Sequence, residues 1–253
     1  MAKEKPVLLL IHGFPLDAGI WQGQRDVLAD VATVIAPDLR GFGSSTLEVP
    51  EVLTMERFAE DLLHLLDERE AKKAVLCGLS MGGYVAMSFY ERWPGRVQGL
   101  ILCNTRSTAD TEEGVEARKL TAKNAFDKGV DIIARGMLPK LISARTKLQQ
   151  PELLAPLEAM MARQRADAVA AASLGMAVRP DRTSLLRRVT VPTLVITGSA
   201  DELMPLPTSE AMRQALPNGR LVVIPEVAHL SNLEAPELFN GIVREYLSAL
   251  PDA

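Results

Sequence analysis

One junction constrains the fold of this chain more than any other feature of its sequence. An apolar run over Ala74–Cys77 leads through Gly78 to Ser80, and a helical pattern begins at once with Met81. Glycines stand two residues before and two residues after the serine, which gives Gly-x-Ser-x-Gly between a strand and a helix. Such a turn strains the serine backbone and leaves no room for flanking side chains. The junction therefore predicts a sharp turn that presents the Ser80 hydroxyl above the edge of a sheet.

Short apolar runs alternate with helical patterns along most of the chain. Runs that are apolar on both faces are typical of parallel strands covered by helices. Helical patterns span 54–70, with Thr54 as N-cap, 81–93 and 235–250. The alternation predicts an α/β fold with a doubly wound, mostly parallel sheet. The predicted strands are Val7–Ile11, Thr33–Ala36, Ala74–Cys77, Gly99–Cys103, Thr193–Thr197 and Leu221–Ile224.

The stretch at about 106–188 breaks this rhythm because it contains no strand-like run. A helical block between two strands of a parallel sheet predicts a lid over the sheet. We therefore predict a single domain over 1–253 with an inserted helical lid. Its predicted helical segments are 115–126, 130–141, 151–163 and 166–178, and its predicted breakers are Gly129, Pro139, Pro151 and Pro180.

Composition excludes several classes of protein. The 253 residues suit one large α/β domain, and 47% hydrophobic with 24% charged residues is ordinary for a globular protein. A net charge of −4 gives no electrostatic basis for binding nucleic acid or an anionic membrane. The first apolar run, Val7–Ile11, is too short for a signal sequence or a membrane span, so we expect a cytoplasmic location. Cys77 and Cys103 lie in apolar runs and are expected to be buried, reduced thiols.

A serine hydroxyl becomes a useful nucleophile only beside a base, and the base needs an orienting carboxylate. The chain has 3 histidines. His64 lies within the predicted helix 54–70, where a structural role is expected. His12 precedes the serine in a glycine turn and is expected to brace that loop. His229 follows the last predicted strand, on the sheet edge that also carries Ser80, and is the predicted base.

The orienting carboxylate should lie in another loop at the same edge. Asp201 and its neighbour Glu202 both follow the fifth predicted strand, and both fit this position. Asp38 also follows a strand, but we expect a structural role in which it pairs with Arg40 or accepts from turn amides. With Asp201, the chain order is serine, acid, histidine.

Acyl transfer also requires donors for the oxyanion that forms on the substrate. The backbone N–H of Met81, directly after the serine, is one predicted donor. The other is the backbone N–H of Phe14 in the loop after the first strand, where Gly13 permits a close approach and Pro15 fixes the course of the chain. This chemistry requires neither a metal ion nor a cofactor, and none is predicted.

Five motifs in this order resemble those of the α/β-hydrolase superfamily, and the resemblance covers nearly the whole chain. It implies the α/β-hydrolase fold and makes Asp201, rather than Glu202, the acid that partners His229. The motifs are His12-Gly13-Phe14-Pro15, the segment 38–45, the segment 78–83, Val191-Pro192-Thr193 with Gly198 and Asp201, and His229 with the segment 232–236.

Within the superfamily, the chain is most similar to small bacterial carboxylesterases and to the 3-oxoadipate enol-lactonase group. Ser80 stands where haloalkane dehalogenases and epoxide hydrolases carry aspartate. Leu79 and Leu230 stand where carbon–carbon bond hydrolases usually carry asparagine and tryptophan. The resemblance thus implies a hydrolase of small carboxylic esters. The alternatives are a lactonase for a carboxylate-bearing enol-lactone and, third, a receptor without catalytic activity.

The expected partner is a small ester or lactone, while the sequence gives no oligomeric state. Candidate pocket residues are Trp21 and the lid methionine Met137, together with the side chains of Phe14 and Met81. Helix packing is the alternative role for Met137 and for the other lid methionines. Arg106 follows a predicted strand at the catalytic edge. It is a candidate clamp for a substrate carboxylate or, alternatively, a member of a surface or lid salt bridge.

Overall fold

Six parallel strands form one sheet, in the order β2-β1-β3-β4-β5-β6, within residues 5–251, the part that the computed structural model describes. The chain runs outward from β1 to β2 and then returns to build the other side from β3. This topology confirms the predicted doubly wound α/β sheet, although residues 1–4 and 252–253 of the predicted domain lie outside the described part. The strands are β1 Val7–Ile11, β2 Thr33–Ile35, β3 Ala74–Leu79, β4 Val97–Cys103, β5 Thr193–Gly198 and β6 Gly219–Ile224.

Helices connect the strands. The predicted segments agree with the structure to within a few residues. The helices α1, α6, α9, α10 and α11 were not predicted, because fewer than three turns carry little periodicity. The helices are α1 Gln22–Leu28, α2 Met55–Glu68, α3 Met81–Arg92, α4 Glu112–Asp127, α5 Val130–Leu141, α6 Ala144–Gln149, α7 Leu154–Ala162, α8 Ala166–Ala177, α9 Thr183–Leu186, α10 Leu206–Ala215, α11 Ser231–Glu234 and α12 Pro236–Ser248.

Each face of the sheet carries its own apolar core. Leu9 and Ile11 of β1 point to one face, where Phe58 of α2 belongs to the same buried cluster. Leu8 and Leu10 point to the other face, whose cluster includes residues of α1 and α12. Because successive side chains of a strand alternate between faces, a strand covered on both sides is apolar throughout.

Helices α4–α9 lie between β4 and β5 and form the helical insertion, which is the name used below for residues 112–186. Within it, α4 packs on α8 and α5 packs on α7. Pro139 lies inside α5, two residues before its end, so the prediction that this proline breaks a helix is wrong. The proline removes only the one hydrogen bond that its N–H would have donated to the carbonyl of Arg135, and the helix ends two residues later. In the range 5–251, no helix has the length and apolar character needed to cross a membrane.

Candidate active site

Ser80 occupies a strained turn between β3 and α3. Its φ is +54° and its ψ is −113°, a backbone conformation that residues other than glycine rarely adopt. A Cβ at position 78 would lie 2.3 Å from the carbonyl oxygen of Gly82, and a Cβ at position 82 would lie 2.2 Å from that of Ile11. Both positions therefore require glycine. The Ser80 side chain stays half-buried, in reach of solvent, at the carboxyl edge of the sheet.

The loop after β1 packs directly against this turn. A Cβ at Gly13 would lie 3.3 Å from the Cβ of Ser80 and 3.2 Å from the carbonyl oxygen of Leu79. The next residue in this loop is Phe14. On the other side, Met81 is the first residue of α3, so its N–H is one of the amides that have no acceptor within the helix. The segments that hold both predicted donor amides thus adjoin Ser80.

His229 and Asp201 are hydrogen-bonded to each other. Nδ1 of His229 lies 2.9 Å from Oδ2 of Asp201, and both side chains are almost fully buried. Burial opposes ionisation of Asp201, yet donation from His229 and Asn104 holds the pKa of this carboxyl below its ordinary value. A charged carboxylate requires Nδ1 to be the protonated nitrogen of the neutral imidazole, which leaves Nε2 as a proton acceptor.

The remaining histidines have other environments. Nδ1 of buried His12 lies 2.9 Å from the carbonyl oxygen of Gly13, and its Nε2 accepts from the Leu39 amide at 3.0 Å. Both ring nitrogens are therefore occupied, and burial lowers the pKa of His12. The ring joins the loops after β1 and β2, as a bracing role requires. His64 lies on the exposed side of α2.

The rival acids also lie apart from His229. Glu202 is exposed, whereas the neighbouring Asp201 turns inward. Asp38 accepts from the backbone amides of Ala18 and Ser44, both at 2.8 Å, as one of its two expected roles requires. The other expectation, a pair with Arg40, is wrong. Arg40 bonds Asp61 in α2, because its long side chain reaches away from its own loop. Arg40 also donates to the carbonyl oxygen of Glu48.

Comparison with known proteins identifies the family of this chain. The family model for the alpha/beta hydrolase fold matches residues 6–236. The chain belongs to the α/β-hydrolase family. A solved thermophilic esterase from Thermogutta terrifontis is 43% identical, with a TM-score of 0.94 over 97% of this chain and 90% of that chain.

Lactone-cleaving enzymes are also similar to this α/β hydrolase. The enol-lactonase structure from Burkholderia xenovorans LB400 is 26% identical, with a TM-score of 0.88 over 97% of this chain and 92% of that one. The 3-oxoadipate enol-lactonase 1 of Acinetobacter baylyi is 29% identical over 94% of this chain and 89% of its own length. The relatives thus agree on hydrolysis and differ in substrate.

Two polar residues of this α/β hydrolase were not recognised as part of the site from sequence. Asn104, at the end of β4, donates to Asp201 Oδ2 at 2.9 Å. Glu234 accepts from the backbone amides of Ala228, at 2.8 Å, and Ser143, at 2.9 Å. Asn104 follows an apolar strand and Glu234 stands in the last of the five motifs. A polar residue directly after an apolar strand, or within a motif near the base, is the sequence signal that could have identified these two residues.

Glu234 joins the helical insertion to the histidine loop. Ser143 lies between α5 and α6, whereas Ala228 directly precedes His229. The carbonyl oxygen of Leu141, the last residue of α5, accepts from the backbone amide of His229 at 3.2 Å. The loop that carries the candidate base is therefore bonded to the insertion as well as to the sheet.

Arg106 belongs to an ion-pair cluster at the base of the insertion. It pairs with Asp110, whose buried carboxylate also pairs with Arg118 at 3.2 Å and Arg179 at 2.8 Å. Burial opposes ionisation of Asp110, but the neighbouring arginines lower its pKa to about 2. Arg179 is itself buried and stacks on the ring of Tyr84, 4.2 Å from its centroid. Of the two expected roles of Arg106, the structure contains the lid salt bridge.

The other candidate pocket residues differ in their surroundings. Trp21 is fully buried and packs on Phe239 of α12, with ring centroids 6.0 Å apart. Its indole lies in the core cluster of that face of the sheet. Met137 of α5 is half-buried and contacts the cores of both faces. Among residues 5–251, no group of three or more His, Cys, Asp or Glu is arranged to hold a metal ion.

Proposed function

We propose that this α/β hydrolase is a serine hydrolase that cleaves small uncharged carboxylic esters. The observation that carries the proposal is the buried bond from His229 Nδ1 to Asp201 Oδ2 at the same sheet edge as the strained Ser80 turn. In this arrangement Ser80 is the nucleophile, His229 the general base and Asp201 the residue that orients and stabilises the imidazole.

The proposed reaction has two steps. Nε2 of His229 takes the hydroxyl proton as Ser80 Oγ attacks the ester carbonyl, and it then gives that proton to the leaving alcohol. The backbone amides of Phe14 and Met81 stabilise the oxyanion, on which negative charge develops in the transition state. Water then attacks the acyl-enzyme with His229 again as base, and the carboxylic acid leaves with Ser80 regenerated.

The environment of Arg106 supports a neutral substrate. Its guanidinium already pairs with Asp110, so a substrate carboxylate would have to compete with a buried counter-charge. The esterase at 43% identity supports the same choice. The enol-lactonases at 26% and 29% identity support the alternative, a lactonase for a carboxylate-bearing enol-lactone. In both cases we propose that the helical insertion acts as a lid and that Met137, with Phe14 and Met81, shapes the pocket.

A substrate panel tests this choice. p-Nitrophenyl acetate, p-nitrophenyl butyrate, an uncharged lactone and an enol-lactone carboxylate are compared on wild type and Arg106→Ala. Arg135→Ala, in an exposed pair with Asp131, is the matched control. We expect the neutral esters to react fastest, with changes below about tenfold in Arg106→Ala. A preference for the carboxylate that only Arg106→Ala abolishes would replace the esterase assignment with lactonase.

Activity must also depend on pH if His229 is the base. A protonated imidazole cannot accept the Ser80 proton, so kcat/KM should fall on the acid side. A profile that is flat from about pH 5 to pH 9 contradicts a histidine mechanism. Absence of ester and lactone turnover in folded wild type would instead favour a receptor on this fold.

A further inference from the structure

Asn104 links the two loops that carry the acid and the base. Its Nδ2 donates to Asp201 Oδ2 at 2.9 Å and to the carbonyl oxygen of Ala228 at 3.1 Å. Its Oδ1 accepts from the Ser231 hydroxyl at 2.7 Å. The side chain is fully buried, and every polar atom of its amide is bonded.

The orientation of the Asn104 amide is fixed by these partners. The carboxylate of Asp201 and the carbonyl of Ala228 only accept hydrogen bonds, so Nδ2 must face both. The Ser231 hydroxyl then donates to Oδ1. A reversed amide would place its oxygen against two acceptors in a buried site, which is strongly unfavourable.

The backbone of Asn104 adopts a left-handed conformation. Its φ is +46°, in the left-handed region that asparagine adopts more readily than other side chains. Its N–H donates to the carbonyl oxygen of Ile196 at 2.8 Å, which ties the end of β4 to β5. The left-handed turn follows directly after this bond.

We propose that Asn104 is a positioning residue that holds Asp201 in place and shares the charge of its Oδ2 atom with His229. His229 Nδ1 and Asn104 Nδ2 both donate to this one oxygen. The proposal rests on the proposed function, since it assigns Asn104 a role through the acid and base of that reaction. Asn104 itself bonds the two loops rather than the reacting atoms.

Loss of the amide donor has two consequences for catalysis. Oδ1 of Asp201 still accepts from the amides of Leu203 and Met204. Oδ2, however, loses one of its two donors and is held less firmly against His229, so kcat falls. Oδ2 then interacts more strongly with its one remaining donor, Nδ1 of His229, and this favours the protonated imidazole. The acid limb of the kcat/KM profile therefore moves to higher pH. KM should change little because Asn104 acts through Asp201.

Other titratable groups near this network do not explain such a shift. Burial raises the pKa of the Cys103 thiol well above its ordinary value, so this neighbour stays neutral. Glu202 is exposed to solvent. The carboxylate of Glu234 is held by backbone amides of Ala228 and Ser143. None of these groups is altered by a substitution at position 104.

Asn104→Gly is the main test, because glycine adopts the left-handed backbone without strain while the substitution removes the amide together with its Cβ. We expect kcat to fall about tenfold to a hundredfold, as for loss of a hydrogen bond to a charged group, with KM within about twofold. The acid limb should move to higher pH. Asn240→Ala is the matched control. It removes a buried amide that bonds Gln24 rather than Asp201, so it should lower the Tm and leave the acid limb unchanged.

Asn104→Asp provides a second variant with nearly the same shape. A second carboxyl beside Asp201 must share one proton with it, and activity should fall as pH rises and that proton leaves. This loss on the alkaline side should be absent from wild type. If both Asn104 variants fold and retain the wild-type kcat and pH profile, or behave like Asn240→Ala, the proposal is wrong.

A spectroscopic readout separates this proposal from the proposed function. If wild type hydrolyses no ester or lactone, the proposed function fails, but the Nδ1 proton of His229 can still be observed as a low-field proton NMR signal. We expect this signal to shift in Asn104→Gly and to stay in place in Asn240→Ala. An unchanged signal in folded Asn104→Gly overturns the role of Asn104 whatever the activity.

Discussion

The carboxyl edge of the sheet and the helical insertion use polar side chains differently. At the edge, Asn104, Asp201 and His229 are buried and bonded to partners far along the chain. On the insertion, Lys123 pairs with Asp127 one helical turn away, and both are exposed. The polar network at the edge therefore depends on each individual hydrogen-bond partner. The exposed ion pairs of the insertion depend only on the spacing of residues along a helix.

Ser80→Ala should give the largest effect at the edge. We expect kcat to fall by about 10⁴ to 10⁶, because the members of such a triad act as a unit. Ester hydrolysis by purified protein measures the loss. Ser209→Ala, which removes a buried hydroxyl on α10, is the control and should keep wild-type activity. Substantial turnover in Ser80→Ala would show that another group is the nucleophile.

Asp201→Asn should follow, with a loss of about 10⁴ in kcat, because an amide favours the wrong tautomer of the imidazole. Steady-state kinetics with p-nitrophenyl butyrate measure this loss. Glu202→Gln is the matched control at the adjacent, exposed position and should keep activity. If Asp201→Asn stays active while Glu202→Gln or Asp38→Asn does not, the acid has been assigned to the wrong residue.

Asp110→Asn probes the base of the insertion, where a buried carboxylate resembles those of the edge. Removing it leaves buried Arg179 without its counter-charge, so we expect a loss of about 3 kcal/mol in the free energy of unfolding at pH 7. Asp131→Asn, in an exposed pair with Arg135, should cost far less. If the two variants are equally stable, the buried ion pairs of Asp110 stabilise the fold no more than an exposed surface pair does.

The stabilisation by Asp110 should also depend on pH. The folded pKa of about 2 lies below the ordinary value of 3.8, so the contribution is complete above the ordinary value and is lost as pH falls towards 2. Urea unfolding at several pH values should therefore show wild type and Asp110→Asn converging in acid. A constant difference between them down to about pH 2 would contradict this assignment.

Glu234→Gln tests the bond between the two regions. The variant replaces one acceptor oxygen with a donor that faces the amide of Ala228 or Ser143, so we expect a loss of about 1–3 kcal/mol in stability. Because Ala228 precedes His229, kcat should fall as well. Thermal unfolding and ester kinetics measure the two effects. A stable variant with lower kcat would separate positioning of His229 from attachment of the insertion.

Lys123→Ala should have the smallest effect. The pair with Asp127 is exposed and one helical turn apart, so its removal should change the free energy of unfolding by less than about 0.5 kcal/mol. Urea denaturation is sensitive enough to set this limit. A loss that approaches that of Asp110→Asn would contradict the contrast between surface pairs and buried partners.

Local pattern accounts for what the sequence predicts well. The strand Val7–Ile11 and the helix Val130–Leu141 were predicted with their observed limits, since apolar runs and helical periodicity are local properties. The turn at Ser80 was predicted from its two glycines, whose positions are dictated by backbone atoms within 2.3 Å of a would-be Cβ. The expectation that Asp38 pairs with Arg40 is wrong because nearness in sequence does not decide which way a long side chain reaches.

The sequence by itself determined the doubly wound sheet, the Ser80 turn and the motifs that belong to the α/β-hydrolase family. Only the tertiary structure decided that Asn104 bonds Asp201 across 97 residues, that Glu234 bonds Ser143 across 91, and that Arg106 pairs with Asp110. The physical reason is that strands and turns follow from neighbouring residues, whereas a buried polar group must find a partner wherever the fold brings one.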